Sequence, residues 1–165
     1  MKKIMNSKGF TLVELMMVIA IIAILALVLI PKAAFMKQSA KDAGLETNIR
    51  VVEATATNLL PKFTSLQLAE FNNMMRSKLT NNVKNPFTQD GTCTVVATAV
   101  VPGSSDVGVY GIQGGSSATY TGAADNTALK GVVIFHAYTS GSAIQCDIWG
   151  YDGSGFKSNP VHQVN

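Results

Sequence analysis

The chain has 165 residues, a length that suits one domain of ordinary size, and 47% of its residues are hydrophobic. The net charge is +3, but three of the 13 basic residues, Lys2, Lys3 and Lys8, precede a long apolar run, which leaves ten basic and ten acidic residues for the rest of the chain. A neutral body lacks the basic surface that phosphate binding needs, so the composition gives no direct evidence for nucleic-acid binding.

The apolar run from Phe10 to Ile30 is long enough to cross a membrane as a helix. At about 1.5 Å per residue its 21 residues span about 31 Å, close to the thickness of a hydrocarbon core. A secretory signal has a shorter apolar region and a small-residue cleavage site, which the sequence after the run does not offer. The lysines before the run predict one membrane-spanning segment with its N-terminus in the cytoplasm and an exported body.

An acidic residue, Glu14, lies near the start of this run. A carboxylate in lipid is costly, so an acid at this position suggests a function. The simpler interpretation is that Glu14 reaches the headgroups or interacts favourably with the dipole of the helix N-terminus. Cleavage between Gly9 and Phe10 would instead create an α-amine four residues before Glu14, about one helical turn away. Such an amine could pair with Glu14 of the same chain or of a neighbouring one.

The stretch KGFTLVELMMVIAIIAILALVLIP resembles the N-terminus of type IV pilins and of the related pseudopilins of type II secretion and competence systems. The resemblance rests on a short basic leader and on the order of residues after it, and it covers about thirty residues. Beyond them the chain matches only in general organisation. The matching positions are Gly9, Phe10, Thr11, Leu12, Glu14, the apolar run and Pro31.

The resemblance implies a processing scheme and a set of partners. A prepilin peptidase would remove residues 1–9 as a leader and methylate the new amine of Phe10. Residues 10–30 would be stored in the cytoplasmic membrane and later pack in the core of a homo-oligomeric filament, the extracellular pilus. Residues 31–165 would form the extracytoplasmic globular domain. Further partners would be the pilus assembly machinery in the membrane and, as an open addition, minor pilins.

The resemblance also implies which residues guide assembly. Glu14 would meet the terminal amine of a neighbouring subunit, and Thr11 and Pro31 would belong to the same assembly segment. Two charges in an apolar core are costly unless they pair, and the best-supported use of such a pair is to fix register.

The helix is expected to continue past the apolar run, with a kink or local loosening at Pro31. Farther on, apolar residues recur at spacings of four and three, which predicts one apolar stripe on the helix until Pro61 ends it. The stripe consists of Leu45, Ile49, Val52, Ala56 and Leu59. We therefore expect a long helix whose amphipathic half packs on a globular domain.

The rest of the chain predicts a short second helix and then β-strands. Thr64 and Gln67 have capping-box spacing before a helix with an apolar face, and Asn85-Pro86 ends that pattern. Runs rich in Thr, Val and Ile predict strands at 92–101, 107–112, 131–138 and 143–151, the last two as a hairpin. This order predicts an α+β, pilin-like fold with an antiparallel sheet on the amphipathic half of the helix.

Two cysteines, Cys93 and Cys146, are predicted to point toward the core. An exported domain permits a disulfide, which would close a long loop and stabilise the fold by about 4 kcal/mol in the chain-entropy model. A pair of buried thiols is the alternative, since pairing cannot be deduced from sequence.

No pattern of catalytic, cofactor or metal-binding residues stands out, so the chain is predicted not to be an enzyme. His136 lies in an apolar strand and His162 in a polar tail, without metal-ligand spacing around them. Asp147 and Asp152 have too few oxygen ligands beside them for an EF-hand calcium loop. We therefore expect a polar turn there rather than a calcium site. Three aromatic residues alternate on one side of the last predicted strand: Trp149, Tyr151 and Phe156. We expect them to cover the edge of the domain rather than to form an exposed adhesive patch.

Two function classes remain. The first is a structural filament subunit, either a type IV pilin or, as the close alternative, a pseudopilin. The second is an exported enzyme or binding domain that the apolar run merely anchors. Glu14 distinguishes them, because a pure anchor gains nothing from an acid near the start of its span. Major or minor status, glycosylation, and a role in adhesion, motility, biofilm formation or DNA uptake stay open.

Overall fold

The structure, a computed structural model, describes residues 9–96, 106–115, 124–158 and 162–164. The chain divides into two units, residues 1–38 and residues 39–165. In the described part of the first unit, the helical residues belong to the start of helix α1. The second unit contains the remainder of α1, a second helix and a sheet.

Helix α1 extends over Leu12–Leu59, as the sequence predicted for a single long helix. Its backbone passes through Pro31 without ending, while a kink at that residue stays a prediction. Within the second unit, the five residues of the predicted stripe are between 0% and 7% exposed, so the amphipathic pattern is confirmed. The helix ends in a 3₁₀ turn, Leu60–Lys62, in which Pro61 occupies a first-turn position that needs no N–H donor.

The second helix, α2, extends over Leu68–Leu79 and follows a 3₁₀ turn at Ser65–Gln67. The Thr64 backbone N–H donates to the Gln67 side-chain oxygen over 3.2 Å, which confirms the predicted capping pair. Phe71, Met75 and Leu79 are fully buried and form the inner face of α2.

Five strands form one sheet in the order β1-β2-β3-β4-β5. Their bounds are Cys93–Val96, Val109–Gln113, Val133–Ser140, Ala143–Gly150 and His162–Val164. The α+β class is confirmed, but the sheet is mixed: β1 and β2 pair in parallel, as do β2 and β3, whereas β3, β4 and β5 are antiparallel. The predicted β3–β4 hairpin is confirmed. Residues 97–101 of the first predicted strand lie outside the described residues.

The sheet buries apolar side chains on both faces. The helix face carries Val133, Phe135 and Ile148, which pack with the α1 stripe and with α2 in one core. The outer face carries a second buried cluster, whose members alternate with those of the first along β2, β3 and β4, as the pleat requires. Its members are Tyr110, Ile112, Leu129, Val132, Ile134, Trp149 and Tyr151.

A buried amide fixes the turn between α2 and the sheet. Asn85 is 0% exposed; its Nδ2 donates to the Lys130 carbonyl over 2.9 Å, and its Oδ1 accepts from the Phe87 N–H over 2.8 Å. Gly131 adopts a φ of 76°, and a Cβ there would overlap Asn85 Oδ1, so this close approach requires glycine. The predicted break in helix at this segment is confirmed.

Candidate processing and assembly site

Thr11 and Glu14 form a reciprocal set of hydrogen bonds at the start of α1. The Thr11 backbone N–H donates to Glu14 Oε2 over 2.9 Å, and the Thr11 hydroxyl donates to the same oxygen over 2.8 Å. The Glu14 backbone N–H is 3.2 Å from the Thr11 hydroxyl oxygen, which accepts from it. Thr11 is therefore the N-cap of α1, and Glu14 is the third helical residue of a capping box.

This capping box gives Glu14 partners inside its own chain, which the sequence reasoning missed. The signal was present at the start of the apolar run, since a Thr followed three residues later by Glu is a helix-start pattern. The contacts satisfy a donor that the helix N-terminus would otherwise leave without a partner. They do not involve a terminal amine, so they neither require nor exclude the pairing that the resemblance implies.

Gly9 and Phe10 lie just before the helix, in backbone without regular secondary structure. Phe10 is 90% exposed, and no heavy atom of the neighbouring structure lies within 4 Å of the place where a Cβ on Gly9 would be. The peptide bond between Gly9 and Phe10 thus lies outside the helix, and no other described residue packs against Gly9.

The apolar residues that follow are not buried within the chain. Every described large apolar side chain from Phe10 to Leu29 is at least 52% exposed. The most apolar 18-residue window of this helix has a mean hydropathy of 3.1, which makes it long and apolar enough to cross a membrane. Exposed apolar surface of this extent requires lipid or another protein surface to cover it.

The two cysteines do not form the disulfide that was considered from the sequence. Register places Cys93 beside Val109, Val109 beside Val133, and Val133 opposite Gly150, four residues from Cys146. Three strand spacings and four residues put the two Cα atoms roughly 20 Å apart, far beyond the 7 Å limit for a disulfide.

Both cysteines are free thiols buried on the helix face of the sheet. Burial raises the pKa of Cys93 to about 12, against an opposing attraction of the thiolate by Arg76. Burial also raises the pKa of Cys146, and the neighbouring Asp147 raises it further. Neither thiol therefore has the low pKa of a reactive cysteine.

Both histidines belong to strands of the sheet. His136 is fully buried in β3, and its Nε2 contacts the Gly114 carbonyl oxygen at 2.5 Å. Residue His162, predicted to lie in a polar tail, belongs instead to β5, where it pairs with Ile148. Three residues of strand at the end of a polar segment give too short a pattern to recognise from the sequence.

The two acids that were considered for calcium differ in environment. Asp152 accepts from the backbone N–H groups of Ser154 and Phe156 at 2.8 and 3.0 Å, which is a polar turn. Asp147 is buried in β4. Across the described ranges, no three His, Cys, Asp or Glu side chains are grouped so that they could hold a metal ion.

The aromatic residues at and after the end of β4 do not form an exposed adhesive patch. Trp149 and Tyr151 are both 0% exposed and belong to the outer-face cluster. Phe156 is 59% exposed, but it lies in the turn after β4 rather than in an aromatic row with the other two. The two buried rings are therefore part of a core.

Comparison with known proteins agrees with this N-terminal geometry. Residues 4–30 match the prokaryotic N-terminal methylation motif, which includes Gly9, Phe10, Thr11 and Glu14. The chain therefore carries the methylation motif of pilin and pseudopilin precursors, and the resemblance seen in the sequence is confirmed over these residues.

Two curated relatives match part of the chain. The chain is 43% identical over 53 residues to the ComG operon protein 3 homolog of Bacillus licheniformis, which is 32% of this chain and 55% of that protein. It is 62% identical over 37 residues to the type IV wide pilus major component PilA4 of Thermus thermophilus, which is 22% of this chain and 28% of that protein. The chain thus spans about half or less of these relatives. No solved structure matches it.

Proposed function

We propose that this chain is the precursor of a structural subunit of a type IV pilus. A prepilin peptidase removes residues 1–9, the amine of Phe10 is methylated, and the subunit polymerises through its N-terminal helix. The observation that carries the proposal is the match of residues 4–30 to the N-terminal methylation motif, with Gly9 and Phe10 in exposed backbone before the helix. A relative named as a pilus major component is 62% identical over 37 residues of the chain.

The distribution of apolar surface supports a filament subunit. The first half of α1 exposes apolar side chains all round, as a helix does that is covered first by lipid and then by other helices. Lysines on the N-terminal side of this segment favour an N-terminus in the cytoplasm and an exported domain. After assembly the domain forms the surface of an extracellular fibre.

The geometry of Glu14 is compatible with a role in assembly. Its contacts with Thr11 are made through Oε2. A carboxylate accepts hydrogen bonds on two oxygens, so the capping box and a contact with the Phe10 amine of a neighbouring subunit can exist together. In an apolar filament core that pairing would fix the register between subunits.

A pseudopilin is the second candidate, favoured by the longer match to the ComG operon protein 3 homolog, over 53 residues. A pseudopilin would share the leader, the methylation and the helix-driven assembly, and it would differ in the machine that it serves. The membrane-anchored enzyme or binding domain is the least favoured candidate, because an anchor alone does not explain the methylation motif.

Mass spectrometry of filaments sheared from the cell surface tests processing and identity together. The proposal expects a dominant species that begins at N-methylated Phe10. A chain that retains Met1, or one cut beyond Ile30, contradicts the processing scheme. Processed chain that stays with the cell envelope and is missing from sheared fibres favours the pseudopilin.

Two substitutions of Glu14 distinguish a role of its side chain in capping α1 from a role of its negative charge in assembly. Glu14→Gln keeps an acceptor for the Thr11 N–H, whereas Glu14→Ala removes it. We expect both variants to insert into the membrane normally but to reduce surface filaments at least about tenfold, because an unpaired partner in a buried charge pair costs about 3–5 kcal/mol.

The yield of sheared filaments, normalised to the membrane-inserted subunit, measures this effect. Glu46→Gln, an exposed acid farther along the same helix, is the matched control and should assemble normally. Normal fibres from Glu14→Gln with few from Glu14→Ala would assign Glu14 to capping alone and contradict its role in assembly.

A further inference from the structure

The part of α1 that directly follows the apolar run is basic. Between Glu14 and Asp42 the sequence contains Lys32, Lys37 and Lys41 but no acidic residue. The first two of these lysines are exposed, and no ion pair among the described residues includes either of them. Their charges are therefore not compensated within the described part of the chain, and they are available to an anionic partner.

Two large apolar side chains belong to the same short segment. Phe35 is 75% exposed and Met36 is 68% exposed. They follow Lys32 by three and four residues, so the three side chains are neighbours on one face of the helix. Lys37 follows Lys32 by five residues and lies about 140° around the helix, on another side. These four residues are called the collar below.

The length of the apolar run places the collar at the height of the lipid headgroups when the run spans the hydrocarbon core. That core is about 30 Å thick, and each headgroup layer adds about 5–7 Å. At about 1.5 Å per residue, Lys32 lies about 3 Å and Met36 about 9 Å beyond Ile30, the last residue of the run. Helical side chains lean toward the helix N-terminus, which here is the direction of the core. Apolar side chains of the collar can thus reach back toward the core while its ammonium groups stay among the headgroups.

We propose that the collar binds anionic phospholipids, with the Lys32 and Lys37 ammonium groups donating hydrogen bonds to headgroup phosphates on two sides of the helix. A lysine ammonium is a compact cation with three donors and no acceptor, which suits phosphate oxygens. Phe35 and Met36 pack beside Lys32 at the boundary between headgroups and acyl chains. The inference rests on the membrane-inserted state in the proposed function and does not depend on filament formation.

The proposed processing gives the collar a specific role. Removal of residues 1–9 takes away Lys2, Lys3 and Lys8, so the basic residues nearest to the span then belong to the collar. Basic residues next to a span are attracted to anionic headgroups and act as anchors at the membrane surface. The collar therefore holds the stored subunit at a fixed depth in the bilayer until assembly withdraws it.

A second copy of the chain would cover the apolar side chains of the collar but would satisfy its lysines less well. The apolar run of such a copy offers one acidic residue, Glu14, whose Oε2 already accepts from Thr11. A bilayer with anionic lipids presents many phosphates around the helix at one height. Charge complementarity therefore favours lipid as the partner of the collar.

Spin-labelled lipids test the proposal on the full chain in vesicles of phosphatidylcholine. Electron paramagnetic resonance separates lipids that contact the chain from free lipids, and it gives the preference of the chain for spin-labelled phosphatidylglycerol over spin-labelled phosphatidylcholine. We expect a preference for phosphatidylglycerol that falls at least about twofold when Lys32→Gln and Lys37→Gln are combined. The corresponding double arginine variant should retain the preference, because it keeps both charges.

Lys62→Gln, which changes an exposed lysine in the second unit, is the matched control and should leave the preference unchanged. Circular dichroism and resistance to carbonate extraction check that each variant is folded and inserted. An equal preference in the wild type and in the double glutamine variant overturns the proposal. Chain-to-chain disulfides formed by Ala33→Cys in the same vesicles, together with that equal preference, would assign the collar to a second copy.

The outcome is separable from the proposed function. Lipid preference is measured on inserted chains, so a chain that is never processed or assembled into fibres can still show it. Conversely, sheared filaments that begin at N-methylated Phe10 would support the proposed function even if the double glutamine variant kept its full preference for phosphatidylglycerol.

Discussion

Helix α1 carries apolar residues in both of its halves, but the second half buries them within the chain and the first half does not. Large apolar side chains from Phe10 to Leu29 are 52–90% exposed, whereas the stripe from Leu45 to Leu59 is 0–7% exposed. The two halves have the same secondary structure, so their sequences must specify different surroundings. The difference lies in how apolar residues are arranged around the helix.

The first half has apolar side chains on all sides, and the second has them on one side. An amphipathic half can satisfy its polar side in water, as the exposed Arg50–Glu46 pair does at 3.3 Å. A helix that is apolar all round has no side for water and must be covered by lipid or by other helices. The second half therefore stabilises the domain, and the first half stabilises whatever assembly or membrane surrounds it.

The largest expected effect comes from a matched pair of isoleucine substitutions in the two halves. Ile49 is 1% exposed and Ile19 is 58% exposed. Ile49→Ala removes buried methyl groups and leaves a cavity, so we expect it to lower the free energy of unfolding of the domain by about 2–5 kcal/mol. Ile19→Ala should leave that free energy unchanged. Chemical denaturation of the full chain in detergent, followed by Trp149 fluorescence, measures both.

In the filament, the substitution with the larger effect should be Ile19→Ala rather than Ile49→Ala. If the first half of α1 packs between subunits, Ile19→Ala should weaken filaments although the domain is intact. Equal loss of domain stability in the two variants would show that the two halves do not differ as their exposure indicates.

A smaller effect is expected from the sheet side of the α1 contact. A Cβ on Gly150 would lie 2.9 Å from Leu45 Cδ1 and 3.0 Å from Ile49 Cδ1. These atoms are ends of flexible side chains, so we expect Gly150→Ala to cost about 1–3 kcal/mol of stability rather than to prevent folding. Thermal unfolding of the full chain measures the loss.

Gly44→Ala is the matched control for this substitution. A Cβ on Gly44 would lie at 3.5 Å from Pro86 Cβ, an ordinary contact, and alanine favours helix over glycine. We therefore expect Gly44→Ala to stabilise the domain by about 0.4–1 kcal/mol. A gain in stability from Gly150→Ala would show that α1 and β4 are not in contact at this glycine.

Features that follow from local periodicity could be predicted from the sequence. Features that depend on the order and direction of the strands could not. The α1 stripe and the Thr64–Gln67 cap follow from spacing within one helix or turn, and both are confirmed. Parallel pairing of β1 with β2 and β3 depends on chain crossings that strand patterns do not encode. The disulfide hypothesis failed for the same reason, since both cysteines face the core as predicted but lie three strands apart.

At the N-terminus the sequence predicted the processing and assembly residues through a resemblance, and it missed a local interaction. The Thr11–Glu14 capping box was visible as a four-residue pattern, but the partners considered for the acid were the headgroups, the helix dipole and the amine of Phe10, and not Thr11. A helix-start signal inside an apolar run is easily overlooked, because the cost of the charge dominates the argument.

Burial shifts the pKa values of titratable groups and so determines how the stability of the domain depends on pH. The contribution of His136 should be the smallest of the stability effects predicted here. Burial lowers the pKa of His136 below its ordinary value of about 6.5, while the Gly114 carbonyl and Asp147 act in the opposite direction. Because the unfolded chain then binds a proton more readily than the folded chain, stability is full well above pH 6.5 and falls as pH drops through about 6.5 toward the lower pKa of the folded chain. Burial raises the pKa of Asp147, which gives a slope of opposite sign that begins near its unfolded pKa of about 3.9.

His136→Gln isolates the histidine, since glutamine retains a donor for the Gly114 carbonyl and does not titrate. We expect the stability of the wild type, relative to this variant, to decline between pH 8 and pH 5.5, as measured by denaturant midpoints of the full chain at each pH. Asp147→Asn should keep the histidine-dependent decline, because it removes the acid and leaves His136 buried. A pH dependence that is identical in the wild type and His136→Gln would mean that His136 is as free to take up a proton in the folded chain as in the unfolded one, contrary to its complete burial in β3.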